Sequence, residues 1–221
     1  MSISGLRMIG ILALGVAAGA PVLAAQSAFS GFWSLSRRTA SAPPELTPAG
    51  KAQQAQFKLN GEALADDLLW CVDQGLPFDM DQAGPIDIIV DRQEFFISPD
   101  VLAIPRHIYI AGQKHPDPDG YDPTVVGYSF GSLKGNTLTA TTVGLLDGVG
   151  PAGIPRTGTA KVQEIFKVSG DLLTVATTWS DPKVLRKPYR YTLQFHRLPK
   201  DYAPPEYYCD ARSHGMRLPG H

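Results

Sequence analysis

Two charged residues stand where strand alternation calls for hydrocarbon. In Ala160, Val162, Glu164, Phe166 and Val168, every second residue is apolar except for one carboxylate. In Arg106, Ile108 and Ile110 the apolar series carries one guanidinium. Alternate side chains of a strand face opposite sides, so both charges are expected to point into a core. A lone buried charge costs about several kcal/mol, so each must pair or reach solvent at a strand end. An Arg fork on a carboxylate satisfies both, and Arg106 is expected to meet Glu164 inside. Phe166, Trp179, Tyr189 and Tyr191 occupy the apolar parity of their strands. They would line the same interior, either around a small-molecule site or as the filling of a closed core. A guanidinium there would recognise an anionic or hydroxylated group. In a catalytic version Glu164 would be the general acid or base, Arg106 would stabilise a developing anion, and Tyr109 or Tyr128 would donate a proton.

The other chemical motifs are weaker. Gly127-Tyr128-Ser129-Phe130-Gly131 matches a nucleophile elbow by letter. That chemistry needs a strand-to-helix turn, whereas this segment runs through Gly135-Asn136 into another strand, so its glycines are read as aids to bending or close packing. His107, His115, His196, His214 and His221 share no spacing common in metal sites. His115 opens an acidic loop with Asp117, Asp119 and Asp122 that lacks the closing Glu of a calcium loop. There is no dinucleotide or phosphate-cradling glycine fingerprint, and neither a metal nor a cofactor is expected.

These residues must be positioned by strands. The chain has 221 residues, 43% hydrophobic and 19% charged, which excludes wholesale disorder. Gly 22 and Pro 19 supply turns without a collagen period. Period-two runs predict strands over Phe32–Ser36, Ile86–Asp91, Glu94–Ser98, Arg106–Ile110, Val125–Leu133, Thr137–Val143, Thr159–Val168, Leu172–Trp179 and Tyr189–Arg197. Gly135-Asn136 and Ser169-Gly170-Asp171 read as hairpin turns. Thr47-Pro48 reads as a helix start, with a helix from Ala49 to Phe57 or beyond and a further turn or two over Leu64–Trp70. About nine antiparallel strands must close or sandwich to hide their edges, and a calycin-like meander barrel is the simplest solution.

Met1–Arg7 followed by the apolar run Met8–Ala20, Pro21 and Val22-Leu23-Ala24 reads as a secretory signal over residues 1–25, too short to span a bilayer. No Cys follows Ala24 or Ala25 to take a lipid. The mature chain, with a net charge of about −2, presents no basic field for nucleic acid. No second apolar stretch would insert it in a membrane, and a periplasmic or secreted location is expected. In an oxidising compartment Cys71 and Cys209 would pair, closing a long loop worth about 4–5 kcal/mol in the chain-entropy picture. The alternative is a free catalytic thiol, for which neither cysteine has a neighbouring His or Lys.

Gly31-x-Trp33 resembles the opening signature of lipocalins and other calycins. In those barrels the Trp plugs one end and a late Arg packs on its face, the place Arg197 would take here. A longer series is similar to a family of secreted bacterial β-rich proteins of unassigned function. It runs Leu46-Thr47-Pro48, Cys71, Arg106-x-Ile108-Tyr109, His115-Pro116, Gly127-x-Ser129-x-Gly131, Gly135-x-Thr137-Leu138, Glu164-x-Phe166, Asp181-Pro182 and Glu206-Tyr207-x-Cys209. That resemblance implies a β fold and the Cys71–Cys209 pairing, and it brings no activity. Tyr128, Thr141 and Arg156 stand where His, Asp and His are usual, so polar chemistry resting on those positions would be changed or lost.

The combined expectation is an exported barrel over 76–200, preceded by a strand, linker and helix over 26–75 and followed by a tail over 201–221 tethered through Cys209. Its expected role is binding a small, partly apolar molecule with a polar or anionic group. A cofactor-independent lyase, isomerase or hydrolase and a structural envelope protein are the alternatives. The oligomeric state is left open.

Overall fold

The computed structural model describes residues 28–59, 73–82, 84–91, 93–99, 104–110, 120 and 122–204. Cys71, Cys209, Leu64–Trp70, His115, His214, His221 and the leader lie outside these residues. Eleven strands are described: β1 (Gly31–Ala40), β2 (Ile86–Val90), β3 (Glu94–Pro99), β4 (Arg106–Ile110), β5 (Tyr128–Lys134), β6 (Thr137–Val143), β7 (Gly148–Val149), β8 (Pro155–Arg156), β9 (Lys161–Ser169), β10 (Leu172–Ser180) and β11 (Tyr189–Arg197). Nine of them close into a barrel in the order β1-β11-β10-β9-β6-β5-β4-β3-β2, and β7 with β8 forms a separate two-stranded ribbon. The barrel thus takes its first strand from the N-terminal segment.

The expectation of a purely antiparallel meander needs one correction. Strands β4 and β5 pair in parallel, Ile108 beside Ser129 and Ile110 beside Gly131. The reason is arithmetic: an odd number of strands in a closed ring cannot alternate up and down all the way round. The remaining pairings around the barrel are antiparallel.

Alternation builds the interior. Strand β9 buries every second residue without exception, from Val162 to Val168. Cross-strand register then stacks the inward residues in layers. The lowest joins Val168, Leu173, Phe195 and Leu35. Above it lie Leu138, Phe166, Val175 and Leu193. Both layers are hydrocarbon. The next, Gly131, Ala140, Glu164, Thr177 and Tyr191, is not. Neither is the one over it, Ser129, Thr142, Val162, Trp179 and Tyr189. Polarity therefore changes within one strand step.

Each barrel end is plugged differently. At the hydrocarbon end Trp33 is fully buried, and its Nε1 donates to the Phe29 carbonyl at 2.8 Å. The Arg197 guanidinium lies 4.0 Å over the Trp33 ring and donates to the carbonyls of Ser30 and Ala28 at 2.7 and 2.5 Å. This is the Arg-on-Trp packing expected from the Gly31-x-Trp33 opening.

At the polar end sits a cap. Its helix α1 (Pro48–Leu59) begins as expected, with the Thr47 hydroxyl accepting from the Gly50 N–H at 3.0 Å and Pro48 in the first turn. The segment 73–82 and the β7–β8 ribbon complete the cap and contribute Leu76, Met80, Leu145 and Ile154 to the core. Gly150 lies against the Trp179 ring, where any Cβ would overlap it.

Candidate functional site

Arg106 and Glu164 meet inside the barrel. They are 3% and 2% exposed, and Arg106 Nη2 donates to Glu164 Oε2 at 2.5 Å. The same Nη2 donates to Thr142 Oγ1 at 2.9 Å, and Arg106 Nε donates to Ser129 Oγ at 2.9 Å. The Ser129 and Thr142 hydroxyls are 2.7 Å apart. One edge of the planar guanidinium is thus held against the wall formed by β5, β6 and β9. Its other nitrogen, Nη1, is buried and has no hydrogen-bond partner among the described residues.

Across the lumen stand β10, β11 and β1. Trp179 is fully buried, and its Nε1 has no acceptor among the described residues. Tyr191 is 3% exposed, and its hydroxyl proton likewise has no acceptor in hydrogen-bonding geometry. Burial, and then the negative charges of Glu164 and Asp81, hold the Tyr191 hydroxyl protonated far above the usual phenol range. Tyr191 is therefore a donor and not a base. Arg38 connects this wall to the rim: it reaches the Tyr189 hydroxyl at 3.3 Å, lies 5.3 Å over the Tyr191 ring and pairs with Asp81 at 3.0 Å. Phe166 belongs to the hydrocarbon layer below and packs in the core.

Two expected donors face the wrong way. Tyr109 alternates with the inward Arg106, Ile108 and Ile110. It lies on the outer surface in a row of rings with Phe96, His107 and Phe130, 6.3 Å from His107 and 6.5 Å from Phe130. Tyr128 is out of phase with the inward Ser129 and donates to the Asp122 carbonyl at 2.8 Å. Neither reaches Glu164, because alternation that turns Arg106 and Ser129 inward turns these tyrosines outward. Thr141 also faces outward, lining a surface cavity beside Phe130. Ser129 lies within β5 and not at a turn, as the rejection of a nucleophile elbow anticipated. Its role, with Thr142, in seating Arg106 was missed. The signal was available: both are hydroxyls at inward parity, in the position facing the buried cation.

A second polar cluster lies in the cap. Arg156, 1% exposed, donates to the carbonyls of Leu146, Gln74 and Leu76 at 2.7, 2.8 and 2.5 Å. It staples segment 73–82 to the ribbon. Desolvation lowers the Arg156 pKa from its usual value, against the attraction of Asp79, Asp73 and Asp147. Asp79 is pushed up to about 8, chiefly by burial and then by the charge and hydrogen bond of Asp73, with Arg156 pulling the other way. His107 is exposed and bonded to Glu94 at 2.9 Å. No cluster of three metal-ligating side chains exists among the described residues, and no helix among them is long and apolar enough to cross a membrane.

No protein-family model matches the chain. No curated protein matches it either. Among solved structures it is similar to the fluorescent protein UnaG, at 10% identity over 78% of this chain and 98% of that one, with a TM-score of 0.39. It is also similar to zebrafish ileal bile acid-binding protein complexed with cholic acid, at 11% identity over 77% and 99%, with a TM-score of 0.39. The likeness is a weak one of barrel architecture, and the barrel described above rests on its own strand pairings.

Removing one partner of the buried pair strands a charge. Arg106→Gln or Glu164→Gln should each lower the unfolding free energy by about 3–5 kcal/mol, and Arg106→Met with Glu164→Leu should cost less than the sum. Urea titration measures this; single losses of about 1 kcal/mol or less would mark an ordinary exposed pair. For Asp79, the folded pKa of about 8 lies above the ordinary carboxyl value of 3.8. The folded state keeps a proton the unfolded chain releases, so this contribution is full below about pH 4 and fades as pH rises to about 8. Asp79→Asn should flatten the fall in melting temperature between pH 5 and 9; an unchanged slope would contradict the assignment.

Proposed function

We propose that this chain is a small-molecule-binding barrel whose ligand places an anionic or other acceptor group on Arg106. The observation that carries this reading is the free side of that guanidinium: Nη1 is buried, without a partner among the described residues, and turned away from the wall that holds Nε and Nη2. A buried donor left unmade costs about 1–3 kcal/mol, and more for a charged group. An oxyanion would recover that cost with charge-assisted hydrogen bonds. The ligand sits in the polar layers under the cap, since hydrocarbon fills the two layers below them. It is therefore compact, and only a small part of it is apolar. The catalytic alternative loses its proton donors with Tyr109 and Tyr128 outside.

A structural role is the second reading. In its favour, cavities of about 320, 180, 330 and 300 Å³ among the described residues are lined mainly by outward-facing or rim positions, and none of them is lined by Arg106, Glu164 or Trp179. Export and a Cys71–Cys209 disulfide remain part of the proposal, supported by the leader and by the two cysteines; the intact mass before and after reduction checks the bridge.

Thermal unfolding in acetate, hexanoate, benzoate and glycolate separates binding from structure. Ligand at about a hundred times its dissociation constant adds about 2.7 kcal/mol, or roughly 5–10 °C for a chain of this size. At least one acid should raise the melting temperature of the parent protein by that much and leave Arg106→Lys unmoved. Equal shifts in both proteins, or none in either, would favour the structural reading.

A further inference from the structure

We propose that the chamber has a second anchor, formed by Tyr191 and Trp179, and that its ligand is a short 2-hydroxy or 2-oxo acid. This rests on the reading of Arg106 as the first anchor. The buried donors on the wall across from Arg106 exceed the acceptors. Trp179 Nε1 lacks an acceptor among the described residues, and the Tyr191 hydroxyl has only the neighbouring Thr177 hydroxyl beside it, outside good hydrogen-bonding geometry. A Trp N–H can only donate, and burial keeps the Tyr191 phenol in its donating form. The charged acceptor in the Tyr191 layer is Glu164, whose Oε2 is taken by Arg106.

Register brings these groups round one space. Thr177 pairs with Glu164 on one side and with Tyr191 on the other, so Glu164 and Tyr191 lie two strands apart. Two strand spacings are about 10 Å between backbones, a span that two side chains and a few ligand atoms fill. Trp179 is two residues along β10 from Thr177, on the same inward face and one layer nearer the cap.

Charge decides the chemistry of the second group. Arg106 and Glu164 cancel, so a ligand carboxylate already leaves the chamber with one net negative charge. A second carboxylate would be buried beside Glu164, and the cation on that wall, Arg38 over the Tyr191 ring, is already paired with Asp81, so its burial costs about several kcal/mol. The group at Tyr191 and Trp179 is therefore a neutral oxygen. A hydroxyl there would accept from these donors and could donate to Glu164, while a keto oxygen would only accept. A site built to hydrogen-bond such an oxygen discriminates against the analogue that lacks it.

Isothermal titration with propionate, lactate, pyruvate and succinate tests this. Lactate or pyruvate should bind the parent protein roughly tenfold more tightly than propionate, the worth of one or two net hydrogen bonds, and succinate should bind no better than propionate. Tyr191→Phe and Trp179→Phe each remove a donor while keeping the ring, and each should bring the lactate-to-propionate ratio down towards one. A parent protein that binds propionate as tightly as lactate, or variants that keep the full preference, would overturn the second anchor. If propionate binding is lost in Arg106→Lys in either of those cases, the first anchor stands without the second. Failure of all four acids to bind overturns both.

Discussion

A cation and a carboxylate from strands far apart in sequence are held together in the upper half of this barrel, and the rest of the interior is arranged around them. Arg106 on β4 reaches past β5 and β6 to Glu164 on β9, donating hydrogen bonds to the oxygens of Ser129 and Thr142 on the way. Bringing both charges out of water is expensive, and a pair of well-packed apolar residues would often stabilise a core as well or better. The pair is thus poorly explained by stability alone. What it does supply is an oriented guanidinium, fixed on one edge and without a hydrogen-bond partner among the described residues on the other, in surroundings of low dielectric where hydrogen bonds to charge are strong.

Stability comes from elsewhere in the same barrel. The two hydrocarbon layers bury Phe166, Phe195, Leu173, Val175 and Leu193 completely or almost so. Below them Trp33 and Arg197 close the floor, the guanidinium donating to the backbone carbonyls of Ser30 and Ala28 just before β1. Above the polar layers, Arg156 ties three carbonyls of the cap together. Asp181, 1% exposed, gathers the Thr157 N–H and the hydroxyls of Thr157 and Thr159, joining the loop before β9 to the end of β10. A rigid floor and a stapled cap are what allow the layer between them to carry charge.

Much of this was readable in the amino-acid order, and the failures have physical causes. Strand positions followed from period two, and Arg106–Ile110, Thr137–Val143 and Tyr189–Arg197 coincide with the observed strands. Alternation also put Arg106, Glu164, Trp179, Tyr189 and Tyr191 on the inner face, because a strand with one side in hydrocarbon leaves no other choice of register. Tyr109 and Tyr128 were nominated for their chemistry against that same alternation, and the barrel turned them out. Ser129, legible only as part of its glycine motif, and Thr142 do not stand out as partners of Arg106, because small hydroxyls carry little hydropathy signal on either face. The parallel β4–β5 pair follows from closure and strand count, which act on the whole ring and not on any segment. Asp79 and Arg156 come from irregular chain, where no periodicity reports which side is buried.

The most direct test of the account is the state of the Arg106 guanidinium in solution. Nitrogen-15 NMR of the arginine side chains, assigned by loss of one signal set in Arg106→Lys, should give Arg106 resolved Nε and Nη protons that exchange slowly with water and show cross-relaxation to the Ser129 and Thr142 side chains. A single averaged, rapidly exchanging Nη signal without those contacts would mean that the group is solvated and that no sheltered ion pair organises the barrel.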